Sequence, residues 1–303
     1  MDIVKLKPAT KDYIWGGTKL KGWGKASLSD SIAECWELSF NPDGPSLIAS
    51  GKDEGRYLKD VATVADVGPV PSGFPFFPVL IKLIDSADNL SVQVHPGDDY
   101  ALSKEGQYGK TEMWYVIEAE EGAGLYVGFR RKTSAAEVRK AVRDDSIVDL
   151  LNFCPAKPGE VYFIPSGTVH AIGKGITLIE IQQNSTLTYR LYDYKRLGKD
   201  GKPRQLNLDK ALLVMDFEPY RPIIFKRPCI GASKYFQAYA YAANDFCEIA
   251  APKESFASLT FISGEGVFAG MDYHKGDTFF LPCGQKGSLK GSGGFVLTQV
   301  RKL

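Results

Sequence analysis

SVQVHPGDDYALSKEGQYGKTE, residues 91–112, leaves one β-strand and enters another. Val92 and Val94 alternate with polar neighbours, so Gln93 and His95, two residues apart, share one face of the first strand. Pro96-Gly97 ends that strand. After a polar excursion, Lys110-Thr111-Glu112 opens the strand-like run MWYVIEA and delivers a carboxylate. Further on, GEVYFIPSGTVHAIGKG repeats the arrangement: a strand over 160–164, a Pro-Ser-Gly turn, then His170 at the start of the next strand. The chain has three His, at 95, 170 and 274, and two of them fall at these strand ends. Two imidazoles, a carboxylate and an amide oxygen form a ligand set for a divalent metal; on chemistry alone it suits zinc, iron or manganese. His274 has no such partners and reads as a surface or turn residue.

The rest of the chain reads as mainly β. Strand signals run through VLIKLIDS, LSVQVH, MWYVIEA, GLYVGF and ITLIEIQQ, with IWGGTKL and IAECWELSF as shorter candidates near the start. FPFFPVLIKLI is the most apolar stretch, but Pro75, Pro78 and Lys82 break it, so it reads as a buried strand and not a membrane span. A helical insertion is expected near 133–152: Ser134-x-x-Glu137 has the form of a capping box, and Asp145-Ser146 precedes a second short helix, IVDLLNF. A short helix is also expected within 52–66, and another over LDKALLVM, capped by Asn207. After Arg221-Pro222 about 80 residues are strand-like again, near the lower limit for an independent domain. The expected division is therefore 1–220 and 221–303.

The second segment echoes the first. GEVYFIPSG over 159–167 and GDTFFLPCG over 276–284 share Gly, five residues, Pro, one residue, Gly. Gly287 stands where His170 stands in the first copy, so one metal-bearing and one bare β-unit are expected.

Composition narrows the partners. With 44% hydrophobic and 24% charged residues the chain has the make-up of a globular protein, and a net charge of +1 gives no reason to invoke nucleic acid or a membrane surface. Five widely spaced Cys without a C-x-x-C argue against a disulfide framework or a Cys-zinc site. They suit a reducing cytoplasm, and the N-terminal residues show no apolar signal segment.

The pattern G-x5-P-x-G-x2-H over 159–170 resembles the second motif of the cupin superfamily, a jelly-roll barrel. SVQVHPGDDYA, GKTEMWYVI, PSGTVHAIGKG and IEIQQNSTLTYRLYDYKR, with IWGG and ECWELS, resemble the type I mannose-6-phosphate isomerases in their short bacterial form. The resemblance spans most of residues 10–200. It implies two cupin-like jelly-roll units and an aldose-ketose isomerase that interconverts mannose 6-phosphate and fructose 6-phosphate through a metal-stabilised enediolate. Its partner is then a small sugar phosphate, and its cofactor one Zn2+ per chain, held by Gln93, His95, Glu112 and His170. Arg190, in TYRLYDYKR, matches the family's active-site arginine; the residues alone also allow a strand-end charge paired with Asp193. Lys110 shares a strand face with Glu112 and joins Arg190 as a catalytic candidate, with Glu180 or a metal-bound water as other bases. Thr186 stands where family members commonly carry an acidic residue. A cupin metal-dependent dioxygenase and a non-catalytic sugar-phosphate binder are the rival readings.

Overall fold

A computed structural model describes residues 1–301. The chain is mainly β and forms three curled sheets. A six-stranded antiparallel sheet lies in the middle, in the order Val161–Ile164, Glu112–Ala119, Ile176–Gln183, Val79–Ser86, Glu34–Leu38 and Ala9–Lys11. Every residue of Val79–Ser86 and Ile176–Gln183 is buried, which explains why these runs lack a clean polar alternation. Both faces of the sheet are covered. Trp114, Val116, Ile176, Leu178 and Ile84 pack on one side against Leu125, Val127 and Ile172. Met113, Ile81, Leu83, Ile179 and Ile181 pack on the other against Phe236, Phe256, Phe280 and Val296 of the C-terminal segment.

The first of these partner layers is a five-stranded sheet ordered Tyr189–Tyr192, Val92–Val94, His170–Ile172, Gly124–Phe129 and Leu151–Pro155. The second is a nine-stranded sheet built mostly from Cys229–Ala232 onward. Hydrogen bonding crosses the sequence boundary near 220, since Val4–Lys7 pairs with both Thr278–Leu281 and Leu47–Ile48. We keep 1–220 and 221–303 as a proposed division whose second sheet borrows two N-terminal strands. The two echoing segments form the strands Val161–Ile164 and Thr278–Leu281. Their bounding glycines, 159 and 167 in one copy and 276 and 284 in the other, all have φ between 72° and 94°. Side chains resist that region, so the shared glycines mark turns that both segments need.

The helical expectations are met unevenly. Ala135–Arg143 is a helix whose N-cap, Ser134, accepts from Glu137 N at 3.3 Å. The reciprocal half of the box is missing, because the Glu137 carboxylate binds Arg131 and Thr133 instead. IVDLLNF is helical only over Ile147–Leu150; Leu151–Pro155 is drawn into pairing with Gly124–Phe129. The region 52–66 contributes short turns at Leu58–Val61 and Val64–Val67, not one helix. IWGGTKL is not a strand: Gly16 and Gly17 make isolated bridges and Lys19–Gly22 is one helical turn. The excursion after Pro96 contains the unforeseen helix Asp98–Lys104. No described helix is long and apolar enough to cross a membrane.

Candidate metal and substrate site

Cross-strand register brings the polar groups together. On the middle sheet Glu180 lies opposite both Trp114 and Lys82, Gln182 opposite Glu112, and Trp36 opposite Lys82. The two-residue side-chain period then puts Glu112, Glu180, Lys82 and Glu34 on the face that meets the five-stranded sheet. On that second sheet Gln93 lies opposite His170 on one side and Arg190 on the other. The facing surfaces enclose a cavity of about 610 Å³, lined among others by Gln93, Lys110, Glu180, Lys82, Thr186 and Arg190. Another cavity, of about 490 Å³ beside Phe153, Ile224 and Phe225, has no His or carboxylate in its lining.

At one end of the facing surfaces His95, Glu112 and His170 converge, with one ligand atom from each inside a 4.8 Å cluster. Glu112 Oε2 is 3.4 Å from His95 Nε2, and Glu112 Oε1 is 3.4 Å from His170 Nε2. Each imidazole has its other nitrogen committed: His95 Nδ1 donates to Leu187 O at 2.7 Å and His170 Nδ1 to Thr168 O at 2.9 Å. With the protons on Nδ1, both Nε2 lone pairs face Glu112, the tautomer a metal requires. Burial keeps both rings neutral, lowering His95 to about 3 and His170 in the same direction. Glu112 is fully buried, and its Oε1 has no hydrogen-bond donor. Burial raises the Glu112 pKa, but Lys110 and then His95 outweigh it and hold the carboxyl well below its ordinary range. A buried carboxylate with an unpartnered oxygen, between two imidazole lone pairs, fits a divalent cation.

Gln93 is beside this group, with its amide turned away from ligation. Nε2 lies 3.4 Å from His170 Nε2, while Oε1 accepts from Ser91 Oγ at 3.3 Å. A hydroxyl both donates and accepts, so turning the amide over keeps Ser91 as a partner and presents the oxygen instead.

Lys110 is buried with its ammonium on the ligand group, 3.0 Å from His95 Nε2 and ion-paired to Glu112 Oε2. Glu180 Oε1 is 3.7 Å from the same nitrogen. Arg190 is half-buried and not paired with Asp193, whose carboxylate is taken by Arg196 and Arg204 at 2.7 and 2.6 Å. Its Nε donates to Ser91 Oγ and its Nη1 to Gln205 O. No carboxylate among the described residues forms a salt bridge with Arg190, so its charge remains available at the cavity wall. Thr186 sits exposed at the cavity rim, with its N–H on Gln107 Oε1.

Inspection of the sequence passed over a row of alternating buried charges. Lys82 Nζ is 3.0 Å from Glu180 Oε1 and 3.4 Å from Glu34 Oε2. Trp114 Nε1 donates to Glu180 and Trp36 Nε1 to Glu34, at 3.0 and 2.7 Å. Burial lowers the Lys82 pKa, but Glu180 and Glu34 outweigh it and raise the group above its ordinary value. The visible signal is a charge inside each of the apolar strand candidates VLIKLIDS, ITLIEIQQ and ECWEL. Replacing Lys82 by Met leaves two buried carboxylates without their cation. We expect this to cost about 3–5 kcal/mol of folding stability in denaturant titration. A loss under about 1 kcal/mol would mean that Glu34 and Glu180 find other compensation.

A family model described as phosphomannose isomerase type I, catalytic domain, matches residues 3–122. ManA of Bacillus subtilis (strain 168), a mannose-6-phosphate isomerase, is 34% identical over 92% of this chain and 92% of its own. YvyI of the same organism is 37% identical over 91% of this chain and 92% of its own. The crystal structure of the mannose 6-phosphate isomerase from Bacillus subtilis superposes with a TM-score of 0.89 at 33% identity, covering 98% of this chain and 99% of that one.

Proposed function

We propose, from the premise that this chain belongs to the type I phosphomannose isomerase family, that its 610 Å³ cavity binds a hexose 6-phosphate and that Lys110, Glu180 and Arg190 act on it there. The chain is an aldose-ketose isomerase that interconverts mannose 6-phosphate and fructose 6-phosphate. The observation that carries the assignment of roles is that Lys110, in contact with His95 and Glu112, also lines the cavity that Glu180 and Arg190 wall.

The metal proposed is one Zn2+ per chain, held by His95, Glu112, His170 and the turned amide of Gln93. When bound, it supplies Lewis-acid polarisation of the sugar oxygens at C1 and C2. Between aldose and ketose, one hydrogen moves from C2 to C1 and one from the oxygen on C2 to the oxygen on C1. Loss of the C2 proton puts negative charge on O1 as the C1–C2 double bond forms, giving an enediolate. Lys110 is the cation beside the ligand group, and it stabilises that charge and moves the proton between the two oxygens. Glu180 lines the cavity with Oε1 ion-paired to Lys82 at 3.0 Å, and it carries the proton from C2 to C1. Trp114 and Lys82 hold Glu180 in place. Arg190 presents a planar fork suited to the phosphate group.

The test is isomerisation of unlabelled mannose 6-phosphate in deuterated water. A proton held on Glu180 exchanges with solvent, so fructose 6-phosphate carrying deuterium at C1 is the expected product. Metal-dependent turnover that places no label at C1 would point to direct hydride transfer and remove the carboxylate from the role given to it here.

A further inference from the structure

The strand that carries Glu112 begins at that residue, and the run just before it, with Lys110 at its centre, is tied to a strand by one backbone bond, Gln183 N to Thr111 O at 3.1 Å. One carboxylate ties down the amides on both sides of Lys110. Asp98 Oδ1 accepts from Gly109 N at 3.0 Å and from Gln183 Nε2 at 2.9 Å. Gln183 Oε1 accepts in turn from Thr111 N at 2.7 Å. The amides on either side of Lys110 are thus tied to Asp98, one directly and one through Gln183, while the Lys110 amide donates to Pro96 O at 3.0 Å. The contact is tight: a Cβ added at Gly109 would lie 2.6 Å from the Gly97 carbonyl carbon.

Asp98 has a third tie, from the far end of the sequence. Tyr235 OH donates to Asp98 Oδ2 at 2.5 Å across 137 residues. The phenol is buried, with its ring centroid 4.9 Å from Tyr108 and 5.2 Å from Phe74. Burial and then Asp98 raise its pKa, so it keeps its proton and remains the donor. Two donors on a single carboxylate oxygen leave the group free to pivot about that oxygen. A donor on the other oxygen fixes its plane.

We propose that Tyr235 is a positioning residue for the isomerisation: through Asp98 it fixes the segment 109–111 and with it the place of the Lys110 ammonium. The inference rests on the role assigned to Lys110 above. It gives the C-terminal segment, which contributes none of the polar groups at the cavity, a part in turnover. A displacement of 1 Å at a catalytic group costs on the order of 100-fold in rate, so a partial loss of restraint is readable.

Tyr235→Phe removes the hydroxyl and keeps the ring against Tyr108 and Phe74. The expected result is kcat about tenfold lower, with KM within about twofold of the parent and metal content unchanged. Introduced into Asp98→Asn, the same change should cost less than about twofold more, because the path it acts through is already altered. If Asp98→Asn does not fold, Gln183→Met is the second background; it cuts the arm to Thr111 and leaves the one to Gly109, so the further loss should be smaller than in the parent. A parental kcat in Tyr235→Phe overturns the proposal. So does a full tenfold loss in the altered background, which would place the action of the phenol elsewhere. Failure of the underlying reading looks different, since Lys110→Ala itself would then turn over at the parental rate.

Discussion

Lys110→Ala is expected to lower kcat by about 10³-fold while leaving the fold and the metal content in place, because the contribution of a positioned proton donor spans 10² to 10⁴. The side chain is 4% exposed, so its ammonium has little solvent to substitute for it. Its nitrogen lies 3.0 Å from His95 Nε2 and in an ion pair with Glu112, where the oxygens of a bound sugar must approach the ligand group. Alanine removes that charge and keeps all three of His95, Glu112 and His170, so steady-state kinetics should show the defect and elemental analysis should not. Arginine is not expected to rescue it. A guanidinium stays protonated and is wider than an ammonium, and this position is enclosed. If Lys110→Ala retained kcat within about tenfold of the parent, Lys110 would be reduced to a structural counter-charge for Glu112 and the proton between the sugar oxygens would need another carrier.

The convergence of His95, Glu112 and His170, with Gln93 beside them, was legible because its signals are local. Gln93 and His95 are linked by strand parity, Pro96-Gly97 and Pro165-Ser166-Gly167 announce the turns, and Glu112 and His170 fall at strand starts. Nothing comparable identifies the row Glu34, Lys82, Glu180. Those residues meet only through the register of three strands far apart in sequence, and each looks alone like a stray charge in an apolar run. A lysine and two glutamates, each within such a run, were nevertheless visible, and buried charges are rarely left unpaired.

One alternative and one expectation fall to competition for the same group. The Arg190–Asp193 pair does not form, because Tyr194 and Lys195 both take positive φ and the chain folds back to bring Arg196 onto Asp193. Asn207 precedes the helix Leu208–Val214 as expected, yet its side chain does not cap that helix; Oδ1 accepts from Arg190 N at 3.3 Å instead. A sequence pattern names a donor and an acceptor, and packing then chooses among several partners within reach. That same choice leaves the Arg190 guanidinium at the cavity without a carboxylate partner among the described residues.

His170→Ala is expected to weaken metal binding by more than about 100-fold, since losing a partner that merely orients a ligand already costs 10- to 100-fold. His170 Nε2 is one of three lone-pair or carboxylate donors in the 4.8 Å cluster, and the other imidazoles are His95, already in the cluster, and the exposed His274, so none is at hand to replace it. Metal analysis after dialysis should fall from about one equivalent per chain to a small fraction, and turnover should fall with it. A readout independent of activity comes from linkage. Metal at 100 times its dissociation constant stabilises the folded protein by about 2.7 kcal/mol, so added zinc should raise the parent's thermal midpoint and leave that of His170→Ala nearly unmoved. His274→Ala is the control: the ring is exposed and its nearest acidic partner is Asp277, so metal content and midpoint shift should match the parent. Burial also sets the pH behaviour. With His95 lowered to about 3 and His170 lowered as well, protons do not compete with metal for either ring at or above neutrality, so metal content should be flat between about pH 7 and 8. Near-full metal in His170→Ala would move the site away from the His95, Glu112 and His170 cluster, and every role assigned to residues around that cluster would move with it.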